Sequence, residues 1–182
     1  MKLIIGLGNP GQKYELTRHN LGFIFIDSLR ERWSFPEFKL GSKFDAEISQ
    51  GKLNGKKIIL AKPQNFINLS GEVVKRIMAF YKTGPEDLLV IHDDMAIACG
   101  KYKLATNSTS AGHNGVQNII EELGTKKFAR LRIGIKNDPG DKTTTPIKIN
   151  DFVLGKLEQA ELEKITPLKK DILKEIEALS LT

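Results

Sequence analysis

The chain has few of the features that mark secreted, membrane-bound or metal-binding proteins. It contains one cysteine, Cys99, in 182 residues, which excludes an internal disulfide and fits a reducing cytosol. No apolar run is long enough to span a membrane, and the first residues are typical of a strand rather than of a signal peptide. Histidine, cysteine and carboxylate residues do not cluster at metal-ligand spacing. We therefore expect a cytoplasmic protein without membrane contact or a metal site.

Size and composition are those of one folded domain. With 182 residues, 40% of them hydrophobic, the chain can bury a full core, and we treat residues 1–182 as a single domain. The net charge of +6 and the pI near 9.3 favour an anionic partner. A solvated, lysine-rich surface gives similar values, so charge alone does not identify nucleic acid as the partner.

Apolar strands and amphipathic helices alternate along the chain. Runs rich in Ile, Leu and Val predict strands at 3–7, 46–53, 57–61, 88–91, 100–104 and 130–135. Helical periodicity covers 21–33, 69–81, 116–123 and 159–179, with the last helix divided near Pro167. This alternation predicts an α/β fold with a mixed, largely parallel sheet and helices on both faces. Residues 138–150, rich in Pro, Gly, Asp and Thr, are predicted to form a long, mobile surface loop.

The most informative segment is Gly6-Leu7-Gly8-Asn9-Pro10-Gly11, directly after the first predicted strand. Glycine readily takes a positive φ and lets a ligand approach the backbone, so three glycines around one asparagine predict a pocket wall. His19 follows within about two helical turns, and histidine is the side chain that titrates nearest neutral pH. His19 is therefore a candidate general base beside this wall.

The same glycines also fit the G-x-G-x-x-G spacing of dinucleotide-binding folds. However, Pro10 removes an N–H from the loop that would hold the phosphates, and the helical pattern starts only near Arg18. No second strand ends in an acidic residue at the expected distance, because Asp27 falls inside a predicted helix. A dinucleotide site is therefore disfavoured.

A carboxylate follows the fourth predicted strand. Asp93 comes just after the apolar run 88–91, so we expect it at the C-terminal end of a central strand, where open α/β sheets bind ligands. It could accept the Nδ1–H of a histidine and fix the tautomer whose Nε2 can take a proton from water. An equally good interpretation is that Asp93 and Asp94 simply end the strand and have no role in a site. Each histidine is followed by an amide or a carboxylate, in the pairs His19-Asn20, His92-Asp93 and His113-Asn114.

Asn68 and Asn114 lie near the starts of two predicted helices. Asparagine is a favoured N-cap, and for either residue alone capping is the better explanation. Their amides could also donate to a developing oxyanion or hold a substrate carbonyl and a water molecule.

Two residues are possible nucleophiles. Cys99 lies in a predicted turn, and we interpret it as a residue without a catalytic role. Ser70 lies at a helix start and has no neighbouring histidine in the sequence to activate it, but a histidine close in space could do so.

Together these segments resemble the bacterial peptidyl-tRNA hydrolase family. Residues 6–23 match the signature Gly-Leu-Gly-Asn-Pro-Gly-x-x-Tyr-x-x-Thr-Arg-His-Asn-x-Gly-Phe. Later blocks match in order and spacing at 62–71, 92–93, 112–115, 130–135 and 151–155. The resemblance covers nearly the whole chain and is far more specific than G-x-G-x-x-G.

The resemblance implies a monomeric cytosolic enzyme that cleaves the ester between a peptide and the 3′ ribose of tRNA. Water would be the nucleophile, with no metal or cofactor. His19 matches the family's general base and Asp93 its orienting carboxylate. The substrate-binding residues implied in the same way are Asn9, Tyr14, Phe66, Asn68 and Asn114, and the implied tRNA phosphate contacts are Lys103 and Arg132.

The chain departs from the family pattern at three places. Ile67 replaces a methionine before the pocket asparagine, and Ala96 replaces a common aspartate. Residues 105–111 lack the basic, glycine-rich stretch that helps to clamp the tRNA 5′-phosphate.

Two alternative functions stay open. A non-catalytic RNA-binding relative would have lost the base, which the presence of His19 and Asp93 disfavours, and a general esterase would need no basic face.

Overall fold

The computed structural model describes residues 1–136 and 148–181. The strands are β1 Lys2–Gly6, β2 Lys39–Gly41, β3 Ala46–Leu53, β4 Lys56–Pro63, β5 Leu88–Ala98, β6 Tyr102–Thr106 and β7 Ala129–Lys136. The helices are α1 Leu21–Arg32, α2 Ser70–Tyr81, α3 Asn114–Leu123, α4 Ile149–Leu154, α5 Gln159–Ile165 and α6 Leu168–Leu181. Short 3-10 turns lie at Gln12–Tyr14, Arg18–Asn20, Ile67–Leu69 and Pro85–Asp87. None of these helices is both long and apolar enough to cross a bilayer.

The seven described strands form one mixed sheet in the order β2-β3-β4-β1-β5-β7-β6. The central strands β4, β1, β5 and β7 are parallel, whereas β2, β3 and β6 join antiparallel at the two edges. One apolar core packs α1, α5 and α6 against one face, and a second packs α2 and α3 against the other. The predicted fold class is confirmed.

The periodic patterns found the longer elements and missed the shortest ones. All six predicted strands and all the predicted helices occur, and the last helix is divided at Pro167 as expected. Among the described strands and α-helices two were missed: β2 is a three-residue edge strand, and α4 has six residues, too few to show a period. Of the predicted 138–150 loop, residues 138–147 lie outside the described residues, while Ile149 and Asn150 begin α4 instead.

The prediction that β5 ends near Ile91 was wrong. The strand continues to Ala98, and Asp93 pairs with Ile133 of β7. The neighbouring strand β1 does stop here, since Gly6 pairs with Ile91. Asp93 therefore projects beyond the end of β1 although it lies within its own strand. Because β1 leads to α1 on one face and β4 leads to α2 on the other, a crevice opens at this edge.

Glycines at the carboxyl end of β1 and at the start of α1 allow close packing of the chain. A Cβ on Gly22 would collide with the backbone of Leu7 and with the carbonyl oxygen of Ile91, so α1 lies directly against β1 and β5. Similarly, a Cβ on Gly6 would meet the backbone of α1, and one on Gly8 would meet the Phe23 ring. Of the three loop glycines only Gly11 has a positive φ, 103°. This packing brings the start of α1 close to Asp93.

Candidate active site

His19 and Asp93 form a buried hydrogen-bonded pair at the carboxyl edge of the sheet. His19 belongs to the 3-10 turn that leads into α1, and its Nδ1 lies 2.8 Å from Asp93 Oδ1. The side chains are almost fully buried, with relative exposures of 9% for His19 and 2% for Asp93. A carboxylate at this distance accepts the Nδ1–H, which leaves the Nε2 lone pair available. The predicted pairing is present.

A second histidine holds the same carboxylate oxygen. His113 Nε2 lies 3.1 Å from Asp93 Oδ1, and His113 Nδ1 accepts the backbone N–H of Val116 at 3.3 Å. Because Nδ1 is an acceptor, the hydrogen is on Nε2 and is donated to Asp93. Burial would raise the pKa of the Asp93 carboxyl, but His113 and His19 outweigh it and hold that pKa below its usual value. Asp93 is thus ionised and fixed between two imidazoles.

Sequence reasoning noted His113 but gave it no role in the site. Residue 113 lies 20 positions from Asp93 and precedes α3, where its side chain caps the helix. The repeated pairing of histidine with asparagine, in His19-Asn20 and His113-Asn114, was the available signal. The ring centroids of His19 and His113 are 4.8 Å apart, so the two histidines share one pocket.

His92 is buried behind this pair. Its Nδ1 lies 2.6 Å from the backbone carbonyl oxygen of Asp93, and its ring meets that of His113 edge to face with centroids 4.7 Å apart. Its Nε2 has no hydrogen-bond partner within the described part of the chain. Burial, reinforced by His113, lowers the pKa of His92 well below its usual value. His92 is therefore neutral and supports the backbone at Asp93.

The folded chain contains a histidine and carboxylate cluster that its sequence spacing does not show. The ligand atoms of His19, Asp93 and His113 all lie within 4.8 Å of one another. Spacing along the sequence does not show this cluster, because its members come from three distant segments. Both histidine nitrogens that face Asp93 already hydrogen-bond to its Oδ1. Binding a metal would require these hydrogen bonds to break, so the arrangement fits an orienting network better than a metal centre.

A cleft of about 250 Å³ opens beside His19. It brings together every substrate-binding residue that the sequence predicts, from three segments of the chain: Asn9, Tyr14, Phe66, Asn68 and Asn114. Three further lining residues, Asn150, Val153 and Leu154, come from α4, which sequence reasoning missed. A second cavity of about 200 Å³ on the Met95 side shares His19, Asn114, Asn150 and Val153.

Asn9 joins the two loops that form one wall of the cleft. Its Oδ1 accepts the backbone N–H of Ile67 at 2.9 Å. Asn20 in turn binds the Asn9 backbone, accepting its N–H at 2.9 Å and donating to its carbonyl oxygen at 3.0 Å. Among the described residues no hydrogen bond is found for Asn9 Nδ2. Asn20, the residue after the catalytic candidate, is therefore a positioning residue that sequence reasoning missed.

Helix capping does not explain Asn68 or Asn114. The N-cap of α2 is Leu69, and that of α3 is His113, whose side chain makes the capping bond. Asn68 lies in the preceding 3-10 turn and Asn114 is the first residue of α3, and both side chains are exposed at the cleft. Ser70 is fully buried, and its Oγ donates to the Ile67 carbonyl oxygen at 2.8 Å. Neither Ser70 nor the core residue Cys99 lines the cleft.

The predicted phosphate contacts Lys103 and Arg132 are cross-strand neighbours on β6 and β7. Lys103 is exposed, whereas Arg132 Nε lies 2.7 Å from Asp94 Oδ2. Asp94 thus holds Arg132 rather than closing the strand. Two pairs further along these strands, Ala105 lies opposite Arg130. Arg130 is fully buried and donates to the backbone carbonyls of Ser108 and Thr109. Arg130 therefore stabilises the segment 105–111, which lacks basic side chains.

Comparison with known proteins gives consistent matches over nearly the whole chain. A family model described as peptidyl-tRNA hydrolase matches residues 3–181. The chain is similar to the peptidyl-tRNA hydrolase of Brevibacillus brevis, with 40% identity over 171 residues, 94% of this chain and 88% of that protein. The Bacillus cereus enzyme is 44% identical over 165 residues, 91% of this chain and 85% of its own length. The crystal structure of peptidyl-tRNA hydrolase from Acinetobacter baumannii has a TM-score of 0.89 and 33% identity, covering 100% of this chain and 89% of that one.

Proposed function

Because the chain belongs to the peptidyl-tRNA hydrolase family, we propose that it hydrolyses the ester bond between a peptide and the 3′ ribose of tRNA. The observation that carries this proposal is the His19–Asp93 pair at 2.8 Å, beside a cleft whose lining includes four asparagines. A base held by a carboxylate and surrounded by neutral amides suits the attack of water on an ester.

His19 acts as the general base in this mechanism. Its Nε2 takes a proton from water as the water oxygen attacks the ester carbonyl carbon, and Asp93 stabilises the resulting imidazolium. When the tetrahedral intermediate collapses, the bond to the 3′ oxygen breaks and the imidazolium returns the proton to that oxygen. The products are tRNA with a 3′ hydroxyl and the peptide carboxylic acid, which releases its proton to solvent and becomes a carboxylate.

The cleft residues hold the substrate around this pair. Asn68 and Asn114 are exposed there, and their amides can donate to the carbonyl oxygen as it gains charge. Asn9 has an amide nitrogen on the same wall, and Tyr14 lines the cleft beside it. The Phe66 ring is 57% exposed, which suits stacking on a base of the tRNA 3′ end.

The tRNA backbone binds through positive charge on the β6–β7 side of the molecule. Lys103 and Arg132 are adjacent across these two strands, and the chain as a whole carries a net charge of +6. We propose that the protein works in the cytoplasm as a monomer, without metal or cofactor, as the family resemblance implies.

Release of a labelled N-acetyl amino acid from N-acetylaminoacyl-tRNA tests the proposal. The purified protein should release it, and His19→Ala should be slower by about 10²- to 10⁴-fold, the range expected for a lost general base, with similar tRNA binding. Hydrolysis of a small ester at an equal rate would indicate a general esterase instead. Binding of tRNA without any ester hydrolysis would indicate a non-catalytic RNA-binding protein.

A further inference from the structure

A buried ion pair lies directly behind the catalytic turn. Arg18, the residue before His19, donates from Nε to Glu161 Oε1 at 2.7 Å and from Nη2 to Glu161 Oε2 at 2.8 Å. Both side chains are less than 10% exposed. This is the two-pronged geometry in which the planar guanidinium matches a carboxylate, and lysine cannot reproduce it.

Arg18 also reaches α4, which forms another wall of the cleft. Its Nη1 donates to the Phe152 carbonyl oxygen at 3.2 Å, and its guanidinium carbon lies 4.4 Å from the centre of the Phe152 ring. The Arg18 backbone N–H donates to the Gly155 carbonyl oxygen at 3.0 Å. The neighbouring residue Thr17 forms an antiparallel bridge with Lys156. The turn carrying His19 is thus attached to the segment that follows α4.

The Glu161 carboxylate is itself held in place by α5. Glu161 Oε2 accepts the backbone N–H of Glu158 at 2.8 Å, as part of the capping box that begins this helix. The carboxylate therefore has three donors and little freedom to rotate. Glu158 also approaches Arg18, at 3.6 Å, but its side chain is 72% exposed and contributes less.

The contacts of this pair point to geometry rather than stability as its role. Taking two charges out of water is costly, and a buried ion pair is often no more stable than apolar residues of similar volume. What the pair does supply is a fixed link between His19 on one wall of the cleft and Asn150, Val153 and Leu154 on another. A small displacement of a base relative to the reacting atoms can cost about 10²-fold in rate.

We propose that Arg18 and Glu161 are positioning residues. Together they form a clamp, the Arg18–Glu161 pair, which fixes His19 against Asp93 and sets the width of the cleft between His19 and α4. This inference rests on the proposed function for its kinetic consequence. Neither side chain lines the cleft or touches the reacting atoms, so both act through the backbone of the catalytic turn.

The kinetic test uses Glu161→Gln and Arg18→Lys, with Glu163→Gln as the matched control. Glu163 lies two residues further along α5 and is exposed, so the control makes the same chemical change outside the clamp. We expect kcat on N-acetylaminoacyl-tRNA to fall by about 10- to 100-fold in both clamp variants, with a smaller change in KM. All kcat values are measured below each variant's thermal midpoint. In an Asp93→Asn background, Glu161→Gln should cost much less, because the pair that it positions is already impaired.

Amide hydrogen exchange tests the clamp without relying on activity. In Glu161→Gln, the amides of Arg18 and Leu157, which donate to Gly155 and Leu16, should exchange faster than in the control, while β1 amides keep their protection. Faster exchange with unchanged kcat would overturn the positioning role, as would a lower kcat with unchanged exchange. If the unsubstituted protein releases no peptide, the proposed function fails, and unchanged exchange would separately reject the clamp. Should Glu161→Gln not fold, Arg18→Lys carries both measurements.

Discussion

Replacing Asp93 with asparagine tests the centre of the mechanism with a change of almost no volume. The carboxylate oxygen Oδ1 accepts hydrogen bonds from His19 at 2.8 Å and from His113 at 3.1 Å. The asparagine carbonyl can still accept both, so the side chains keep their positions. What is lost is the negative charge that stabilises the His19 imidazolium while it holds the proton from water.

The size of the effect follows from the change in acceptor. Hydrogen bonds to charged groups contribute about 1.5–3 kcal/mol, against about 0.5–1.5 for neutral pairs. Because the asparagine still accepts the bond, the loss in the transition state is the difference of about 1–1.5 kcal/mol, which corresponds to a kcat lower by roughly 5- to 13-fold. If the asparagine instead turns its NH₂ group toward His19, the imidazole takes the wrong tautomer and the loss grows to as much as about 10⁴-fold.

The assay is single-turnover release of peptide from N-acetylaminoacyl-tRNA across the pH range, with tRNA binding measured on the same samples. Asp94→Asn is the matched control, since its carboxylate holds Arg132 and the Ala96 backbone instead of a histidine. Asp94→Asn should slow the bound substrate much less than Asp93→Asn does, because the Asp94 carboxylate contacts Arg132 and Ala96 rather than His19. Unchanged turnover of Asp93→Asn at every pH would refute the reasoning, and Asp93 would then be only a strand residue.

Three further outcomes are expected. Asn68→Ala and Asn114→Ala should each lower turnover with little change in thermal midpoint, because neither side chain caps a helix; activity lost only in proportion to unfolding would contradict this. Affinity for tRNA should fall with rising salt, Arg132→Ala should flatten that dependence, and Ala105→Arg should tighten tRNA that carries a 5′-phosphate more than tRNA that lacks it. Equal tightening of both tRNAs would mean that the added charge acts as a general attraction. The lowered pKa of His92 means that the folded protein keeps it neutral while the unfolded chain protonates, so stability should fall as pH drops below about 6.5. His92→Phe should make the free energy of unfolding, measured by denaturant titration at each pH, less dependent on pH between about 7 and 5. If the free energy of unfolding changes with pH as steeply as in the unsubstituted protein, this role for His92 is rejected.

Local pattern was sufficient for elements that are long enough to show a period. The β3 strand was predicted with the bounds that it has, 46–53, and α2 within one residue. The extent of β5 could not be read locally, because its continuation contains His92, Asp93 and Asp94, which are polar. Pairing with β7, whose residues are 40 positions away, keeps that polar segment extended.

The sequence by itself determined the candidate residues of the site. His19, Asp93 and five of the cleft residues were named from motifs whose order and spacing resemble one family. It also determined the fold class, through alternating strands and helices. Such information is carried by neighbours in the chain, where residue type and period are directly visible.

Only the tertiary structure decided how these residues work together. That His113 shares the Asp93 oxygen, and that Arg18 is held by Glu161 across 143 positions, depends on which segments meet at one edge of the sheet. The tight packing of Gly22 against β1 and β5 brings those segments into hydrogen-bond range. The strength of a hydrogen bond or ion pair depends on differences of a few tenths of an ångström between its atoms, and the spacing of residues along a chain does not determine such differences.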